Sequence, residues 1–295
     1  MKLKFIDLFA GIGGFHLAMS KLGHECVFAS EIDKYARITY EENFKKKSPY
    51  IFKNNLFNKD ILSADYKKIP DFDVLCAGFP CQPFSQAGKK KGFSDDKDSR
   101  GNMFFAIRDI VKVKKPKVVL LENVRNLVNH DSGKTFIKIR DILEQELKYS
   151  FHYKIIRASD FGLPQHRPRV YIVCFKDEIN LFSKFTFPKP IILKKTMSDI
   201  FGGSCNKDIG YTLRVGGKSS PINDRRNWDQ YIVNGNVVKL SSTEGKKMMG
   251  FPKNFKFPVS EVQAMKQLGN SVAVNVVYNL ILNIMVHLKE TSNLN

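Results

Sequence analysis

Apolar positions in the first 175 residues fall into short blocks separated by longer amphipathic stretches. In "KLKFIDLFAGIGGFHLAMSKLG" the block at 3–8 reads as a strand and residues 10–14 as a glycine-rich turn. The remainder reads as a short helix ending at Gly23. "CVFASEID" supplies a second strand, and helical spacing follows from 34 to 44. "DVLCAG" and "PKVVLLENV" are near-continuous apolar runs, the pattern of parallel strands buried on both faces. "HYKIIRAS" and "RVYIVCF" read as a late pair of strands around "DFGLPQHRP". This alternation predicts a doubly wound, Rossmann-like α/β domain, which gathers its ligands at the carboxyl ends of its strands.

After Phe175 the pattern breaks up. "FTFPKPIILKK" and "GYTLRVGGKSSPINDRRNWDQYIVNGNVV" are rich in Gly, Pro, Asn and basic residues, with short β-like pieces. They predict a smaller, loop-rich, β-containing domain. "GNSVAVNVVYNLILNIMVHL" then returns to a strong helix. Asn275, Asn279, Asn283 and His287 form a polar stripe on it, opposite Val276, Val277, Leu280, Ile281 and Ile284. That apolar face calls for the α/β sheet, so the expected division is 1–178 with 262–295 against 179–261. Asp7 interrupts the N-terminus before any signal-peptide core develops, and no apolar run is expected to span a membrane. The chain reads as soluble, cytoplasmic and free of membrane.

Charge narrows the partners. Lys and Arg number 48 against 29 acids, a formal charge of +19, and such a field attracts a polyanion. Lysines dominate, but five of the arginines fall within residues 167–226, and Arg suits bidentate recognition. The five cysteines lack C-x-x-C spacing, and no Cys/His set matches a zinc site. Neither disulfide nor metal is expected, which leaves thiols for chemistry.

The glycine turn brings Phe9, Gly11 and Gly13 together, and Glu31 lies 20 residues beyond Gly11, where a ribose diol would bind. Gly14 comes too early for G-x-G-x-x-G and position 16 is His. The turn therefore suits a cofactor with no phosphate to cradle, such as S-adenosylmethionine; a purely structural βα turn reads the same way. Asp60, in "NKDI", stands where a third strand could end and could meet an adenine amino group. Cys81 ends the strand "DVLCAG", clamped between Pro80 and Pro83. It is either a nucleophile held at the ligand edge or one of two small buried thiols; Cys76, inside the strand, reads as packing. Glu122 ends the next strand on the same edge, as a general acid or a helix-capping carboxylate. Gln165, Arg167 and Arg169 alternate, so a strand through them would point all three one way.

The set "DLFAGIGGF", "GFPCQPFSQAG", "DSRGNMFF", "LLENV", "QHRPRVYIV", "EGKKMMGFP" and "QLGNSVAVNV", in this order, resembles the DNA (cytosine-5) methyltransferases. The resemblance covers nearly the whole chain outside about 178–238. It implies that the Cys81 thiolate adds to cytosine carbon 6 while Glu122 hydrogen-bonds or protonates ring nitrogen 3. Carbon 5 then takes a methyl group from S-adenosylmethionine, leaving S-adenosylhomocysteine. Arg169 would hold the exocyclic oxygen and Arg167 the neighbouring backbone. The base must leave the stacked duplex to be reached. The cofactor set it implies is Phe9, Gly11, Gly13, Glu31, Ile32, Asp60, Ile61, Pro80, Met103 (where Leu is more usual), Asn270 and Ser271.

The same resemblance makes the stretch after Cys81 a mobile loop closing over double-stranded DNA, with Ser85, Lys89 and Lys91 meeting phosphates. Thr212 and Leu213 resemble the marker of a target-recognition region. Around them Gln165, Arg214, Lys218, Arg225, Arg226, Asn227 and Trp228 are candidate base or phosphate contacts. A monomeric, nucleoid-associated modification enzyme paired with a restriction endonuclease is the expected setting. An RNA cytosine methyltransferase of similar fold and a catalytically dead DNA-binding regulator are the alternatives; turnover on duplex DNA or on RNA separates them.

Overall fold

The computed structural model describes residues 1–80, 103–176, 185–216 and 220–292. The first two stretches carry β1 (Lys4–Leu8), α1 (Gly14–Lys21), β2 (Glu25–Ser30), α2 (Lys34–Phe44), α3 (Pro49–Lys53), β3 (Phe57–Asn58) and β4 (Val74–Gly78). They continue with α4 (Met103–Lys114), β5 (Val118–Val124), α5 (Lys134–Asp141), β6 (His152–Arg157) and β7 (Pro168–Phe175). Among the described residues these strands form one seven-stranded sheet in the order β3-β2-β1-β4-β5-β7-β6. Strands β1 to β5 pair in parallel, and β7 runs antiparallel to both β5 and β6. The chain winds outward from β1 to β3, then returns to β4 on the other side of β1. That reversal opens a crevice above the carboxyl ends of β1 and β4, the place where doubly wound sheets bind ligands.

Local chemistry sets the element ends. The Asp33 carboxylate caps α2 by accepting from the Tyr35 and Ala36 amides, both at 2.9 Å. β7 begins at Pro168, so the alternation expected through Gln165, Arg167 and Arg169 does not hold: only Arg169 lies in the strand. Gln165 and Arg167 belong to the preceding turn and are buried.

The remainder comprises α6 (Met197–Phe201), the hairpin of β8 (Gln230–Val233) and β9 (Asn236–Lys239), α7 (Ser242–Met248), α8 (Glu261–Asn270) and α9 (Val274–Ser292). Asn234 and Gly235 turn the hairpin with φ of 50° and 82°, the positive pair that a tight two-residue loop demands. One apolar cluster runs from α1 and α9 into this region through Met197, Trp228, Tyr231 and Met248; a second packs α4 and α5 on the opposite face of the sheet.

Two expectations for the last helices change. The asparagine stripe of α9 is not turned to water: Asn275 donates to the Phe161 carbonyl at 3.2 Å and Asn283 to that of Thr186 at 3.1 Å. Leu282 and Val286 are exposed instead. The stretch Glu261–Thr291 is also long and apolar enough, by length and composition alone, to cross a membrane, contrary to the sequence expectation. Its asparagines interrupt every apolar run without adding charge. In the fold it comprises α8 and α9, with 61% of its most apolar window buried inside the protein.

Candidate active site

The loop after β1 is held by its own backbone and by one carboxylate. Phe9, Gly11 and Gly13 all take positive φ, 55°, 55° and 83°. The Glu31 carboxylate, at the end of β2, accepts from Gly11 N–H and Asp33 N–H, each at 2.7 Å. It thereby ties the turn to the start of α2. Burial raises the Glu31 pKa, and those backbone hydrogen bonds oppose the shift. A Cβ on Gly11 would meet nothing within 4 Å, so the chain leaves open space beside the turn. Gly13 serves differently: a Cβ there would sit 2.3 Å from the Phe44 ring. It is needed for packing on α2 and lies behind the cavity wall.

The open space belongs to a cavity of about 670 Å³ along the strand ends. Phe9, Gly11, Glu31, Ile32, Asp60, Ile61, Pro80, Met103 and Asn270 line it, as do Glu122, Arg167 and Arg169. Gly13 and Ser271 are the two expected cofactor residues outside its lining. Ser271 is buried, and its carbonyl accepts from Arg167 at 2.6 Å. The cavity joins an acidic and apolar end, suited to a nucleoside, to an end with a buried carboxyl and two guanidinium groups. Glu31 and Asp60 place two carboxylates at the first end.

The second end follows from strand register. Glu122 pairs with Tyr171, and Arg169 with Val124, across the antiparallel β5–β7 ladder. Glu122 and Arg169 are therefore diagonal neighbours on one face. Glu122 Oε1 and Arg169 Nε are 3.2 Å apart, an ion pair without hydrogen-bond geometry. Burial pushes the Glu122 pKa up, while Arg169 and then Arg167 pull it down. The net shift is upward, toward a carboxyl that can carry a proton to a base. Arg167 is 2% exposed and donates to the carbonyls of Leu213 (3.3 Å), Gly269 (2.9 Å) and Ser271 (2.6 Å). It acts as a clamp on the backbone, the part the resemblance implies for it, while also lining the cavity. Burial, then the neighbouring Arg169 charge, pushes its pKa down.

Cys81 lies outside the described residues, as do Ser85, Lys89, Lys91 and Lys218. The chain leading to Cys81 is anchored: Asn123 Nδ2 donates to the Phe79 carbonyl at 3.0 Å and its Oδ1 accepts from Val124 N–H. Cys76 is fully buried in β4, and burial raises its thiol pKa well above the usual range. It is packing, as expected.

Several expected DNA contacts prove internal. Gln165 is wholly buried, donates to the Met248 carbonyl at 3.1 Å and accepts from Leu213 N–H at 3.1 Å. Asn227, also buried, bonds the Gln230 amide and carbonyl, both at 3.0 Å. Trp228 is 1% exposed and donates to the Gly216 carbonyl. The Arg226 fork is filled by Asp224, whose pKa it lowers to about 2. Thr212 donates to the His166 carbonyl. Arg214, Arg225 and Arg226 are exposed, Arg226 with its fork engaged by Asp224.

Sequence reasoning missed Asn126, His130, Gln263, Lys266 and Gln267, all of which line the cavity. The four-residue spacing of Gln263 and Gln267, just before "LGNSV", was the available signal for a polar helix face turned inward.

The profile of the C-5 cytosine-specific DNA methylases matches residues 3–215 and 210–286. The Type II methyltransferase M.HhaI of Haemophilus parahaemolyticus is 40% identical over 321 positions, covering 96% of this chain and 94% of its own. Type II methyltransferase M.HaeII of Haemophilus aegyptius is 40% identical over 304 positions, 93% of this chain and 90% of its own. Among solved structures, a Spodoptera frugiperda DNMT2 mutant superposes with a TM-score of 0.73 at 21% identity, over 96% of this chain and 99% of its own. A putative DNA modification methyltransferase encoded within an E. coli prophage gives 0.72 at 20% identity, over 98% and 100%. These two bear on the fold alone. Enzymes of the family take their methyl group from S-adenosylmethionine, and the Type II members act on DNA within restriction-modification systems. The chain belongs to the C-5 cytosine-specific DNA methylase family and is a DNA (cytosine-5-)-methyltransferase.

Proposed function

We propose that the chain methylates carbon 5 of a cytosine turned out of a short, specific duplex sequence, through a covalent adduct with Cys81. What carries this reading is the pairing of Glu122 with Arg169 in the same cavity as Glu31 and Asp60. Glu31, Asp60, Ile32, Ile61 and Met103 would hold S-adenosylmethionine, which when bound supplies an electrophilic methyl group.

The remaining steps belong to the chain's own residues. A thiol of ordinary pKa needs only about 2 kcal/mol to be held as thiolate at neutral pH. Cys81 adds to carbon 6, and Glu122 hydrogen-bonds or protonates ring nitrogen 3, which makes carbon 5 electron-rich. Arg169 holds the exocyclic oxygen. Loss of the carbon-5 proton and elimination of the thiolate then restore the ring. Turning out the base costs a few kcal/mol, which duplex contacts made by the basic surface offset.

In this reading residues 1–178 and 262–295 form the catalytic domain and 179–261 the recognition domain, with exposed Arg214 and Arg225 as candidate DNA contacts. The enzyme works as a cytoplasmic monomer on nucleoid DNA, as the modification partner of a restriction endonuclease. The test is bisulfite sequencing of genomic DNA from a host lacking cytosine methylation that expresses the chain. Protection confined to one short motif, lost in Cys81→Ser, is the expected result. No protection from soluble wild-type protein would sink the reading; label incorporated into RNA instead would redirect it.

A further inference from the structure

Two segments of the loop-rich region, 214–216 and 220–227, are tied to each other and to the cavity wall. A Cβ on Gly269, which lines the cavity, would lie 2.9 Å from the Arg214 backbone. Arg167 holds the Leu213 carbonyl just before the first segment. Just after the second, Trp228 Nε1 donates back to the Gly216 carbonyl at 3.0 Å. The second segment is also fastened from within. Asp224 N–H donates to the Pro221 carbonyl at 2.8 Å, and the Asp224 carbonyl accepts from Asn227 N–H at 2.9 Å. The buried Asn227 side chain then bonds the Gln230 backbone. A side chain that this turn carries outward therefore has a set origin and direction.

Arg226 is such a side chain. It is 72% exposed, whereas the side chain of Asp224 is 22% exposed. The carboxylate grips one edge of the guanidinium, with Nε donating to Oδ1 at 3.0 Å and Nη2 to Oδ2 at 2.7 Å. Oδ1 also accepts from Arg226 N–H at 2.7 Å. A guanidinium has a second edge, Nη1 with the other hydrogen of Nη2, and among the described residues nothing bonds it. Three bonds to one carboxylate hold that edge in one plane. The pair carries no net charge, so it adds little to the attraction for phosphates. What it offers is a fixed pair of parallel donors. In the major groove only guanine presents two acceptors, O6 and N7, on one base. Adenine in the same place would set its amino group against an N–H donor. We propose that Arg226, held by Asp224, reads one guanine of the methylation site through its outer edge. The proposal rests on the DNA-methylation reading above and adds which base this turn selects and which residue selects it.

The test is steady-state methylation by the full chain of duplexes carrying its methylated motif, substituted one base pair at a time. In Arg226→Gln, discrimination should fall about 10- to 100-fold at a single G·C pair and hold near the wild-type value elsewhere, the usual worth of one bidentate contact. Asp224→Asn, which loosens the fork, should relax the same pair to a smaller degree. At that pair 7-deazaguanine removes N7 alone. It should slow the wild type by about 10-fold and Arg226→Gln by less than about twofold, a difference that a merely structural arginine would not produce. An even loss on every sequence, with the salt slope reduced by about one, would make Arg226 a phosphate contact and overturn the proposal. Unchanged discrimination at every G·C pair would overturn it too, leaving the ion pair a fastening of the turn. Wild-type protein that methylated no duplex would remove the DNA reading itself, and the proposal with it.

Discussion

Acid should loosen the support behind the glycine turn through a single residue, His16. Its ring is fully buried and stacked on Phe44, with centroids 4.1 Å apart. Nδ1 lies 2.6 Å from the Tyr40 hydroxyl and Nε2 2.8 Å from that of Ser48. Burial, helped by the Lys47 charge, lowers its pKa from 6.5 to about 3. Below pH 6.5 the unfolded chain binds a proton at His16 that the folded chain refuses until near pH 3. Stability contributed here is therefore present above that window and lost as pH falls through it. At pH 5 the proton costs 1.5 pKa units, or about 2 kcal/mol at roughly 1.36 kcal/mol per unit.

The buried acids Asp7, Glu31 and Glu122 have raised pKa values and work in the opposite direction, because the folded chain takes their protons first as pH falls. A wild-type curve alone mixes the two signs. Comparison with His16→Gln, which keeps hydrogen-bonding capacity and cannot charge, isolates His16. Urea denaturation should show the wild type more stable at about pH 7.5, with its advantage narrowing by about 2 kcal/mol at about pH 5. An advantage that stayed constant between the two would mean that His16 takes its proton in the folded state, and the reasoning would fail.

Glu122→Gln should lower kcat/KM by about 100-fold or more, the usual worth of a positioned acid. Because burial raises the Glu122 pKa, wild-type kcat/KM should fall as pH rises through that value, and the variant should lack this alkaline limb. An identical pH profile in both would take the proton away from Glu122. Arg167→Lys replaces a fork that reaches three carbonyls with a point charge, and two lost bonds to a buried cation should cost about 3 kcal/mol in urea unfolding. Wild-type stability in that variant would show that Arg167 is not the clamp it resembles.

The strand ends were legible because parallel strands buried on both faces leave uninterrupted apolar runs, and the next polar residue marks the ligand edge. Glu31 and Glu122 were found in this way, and α2 was placed at its observed bounds. Asp60 follows a β3 of only two residues, so its strand was weakly marked. The α8 wall was not legible. Gln263, Lys266 and Gln267 were given no role, and the residue whose hydroxyl bonds Gln267 is Thr39, 228 positions away.

Polar residues in the loop-rich region and packed against it misled for a related reason. Segments with few strand ladders must satisfy their backbone groups by other means, and an amide side chain supplies both a donor and an acceptor. Gln165 and Asn227 are spent on that task, so residue types that read bases on a surface here hold loops together inside. Arg167 carries the point furthest. Its guanidinium bonds the carbonyl of Leu213, next to Thr212, and those of Gly269 and Ser271 on either side of the cavity-lining Asn270. The same side chain lines the cavity beside Arg169 and Glu122. A shift of the 213 segment must therefore be followed by the Asn270 wall, or one of these bonds must break. The Leu213 segment, the Asn270 wall and the edge carrying Glu122 and Arg169 meet at one buried charge.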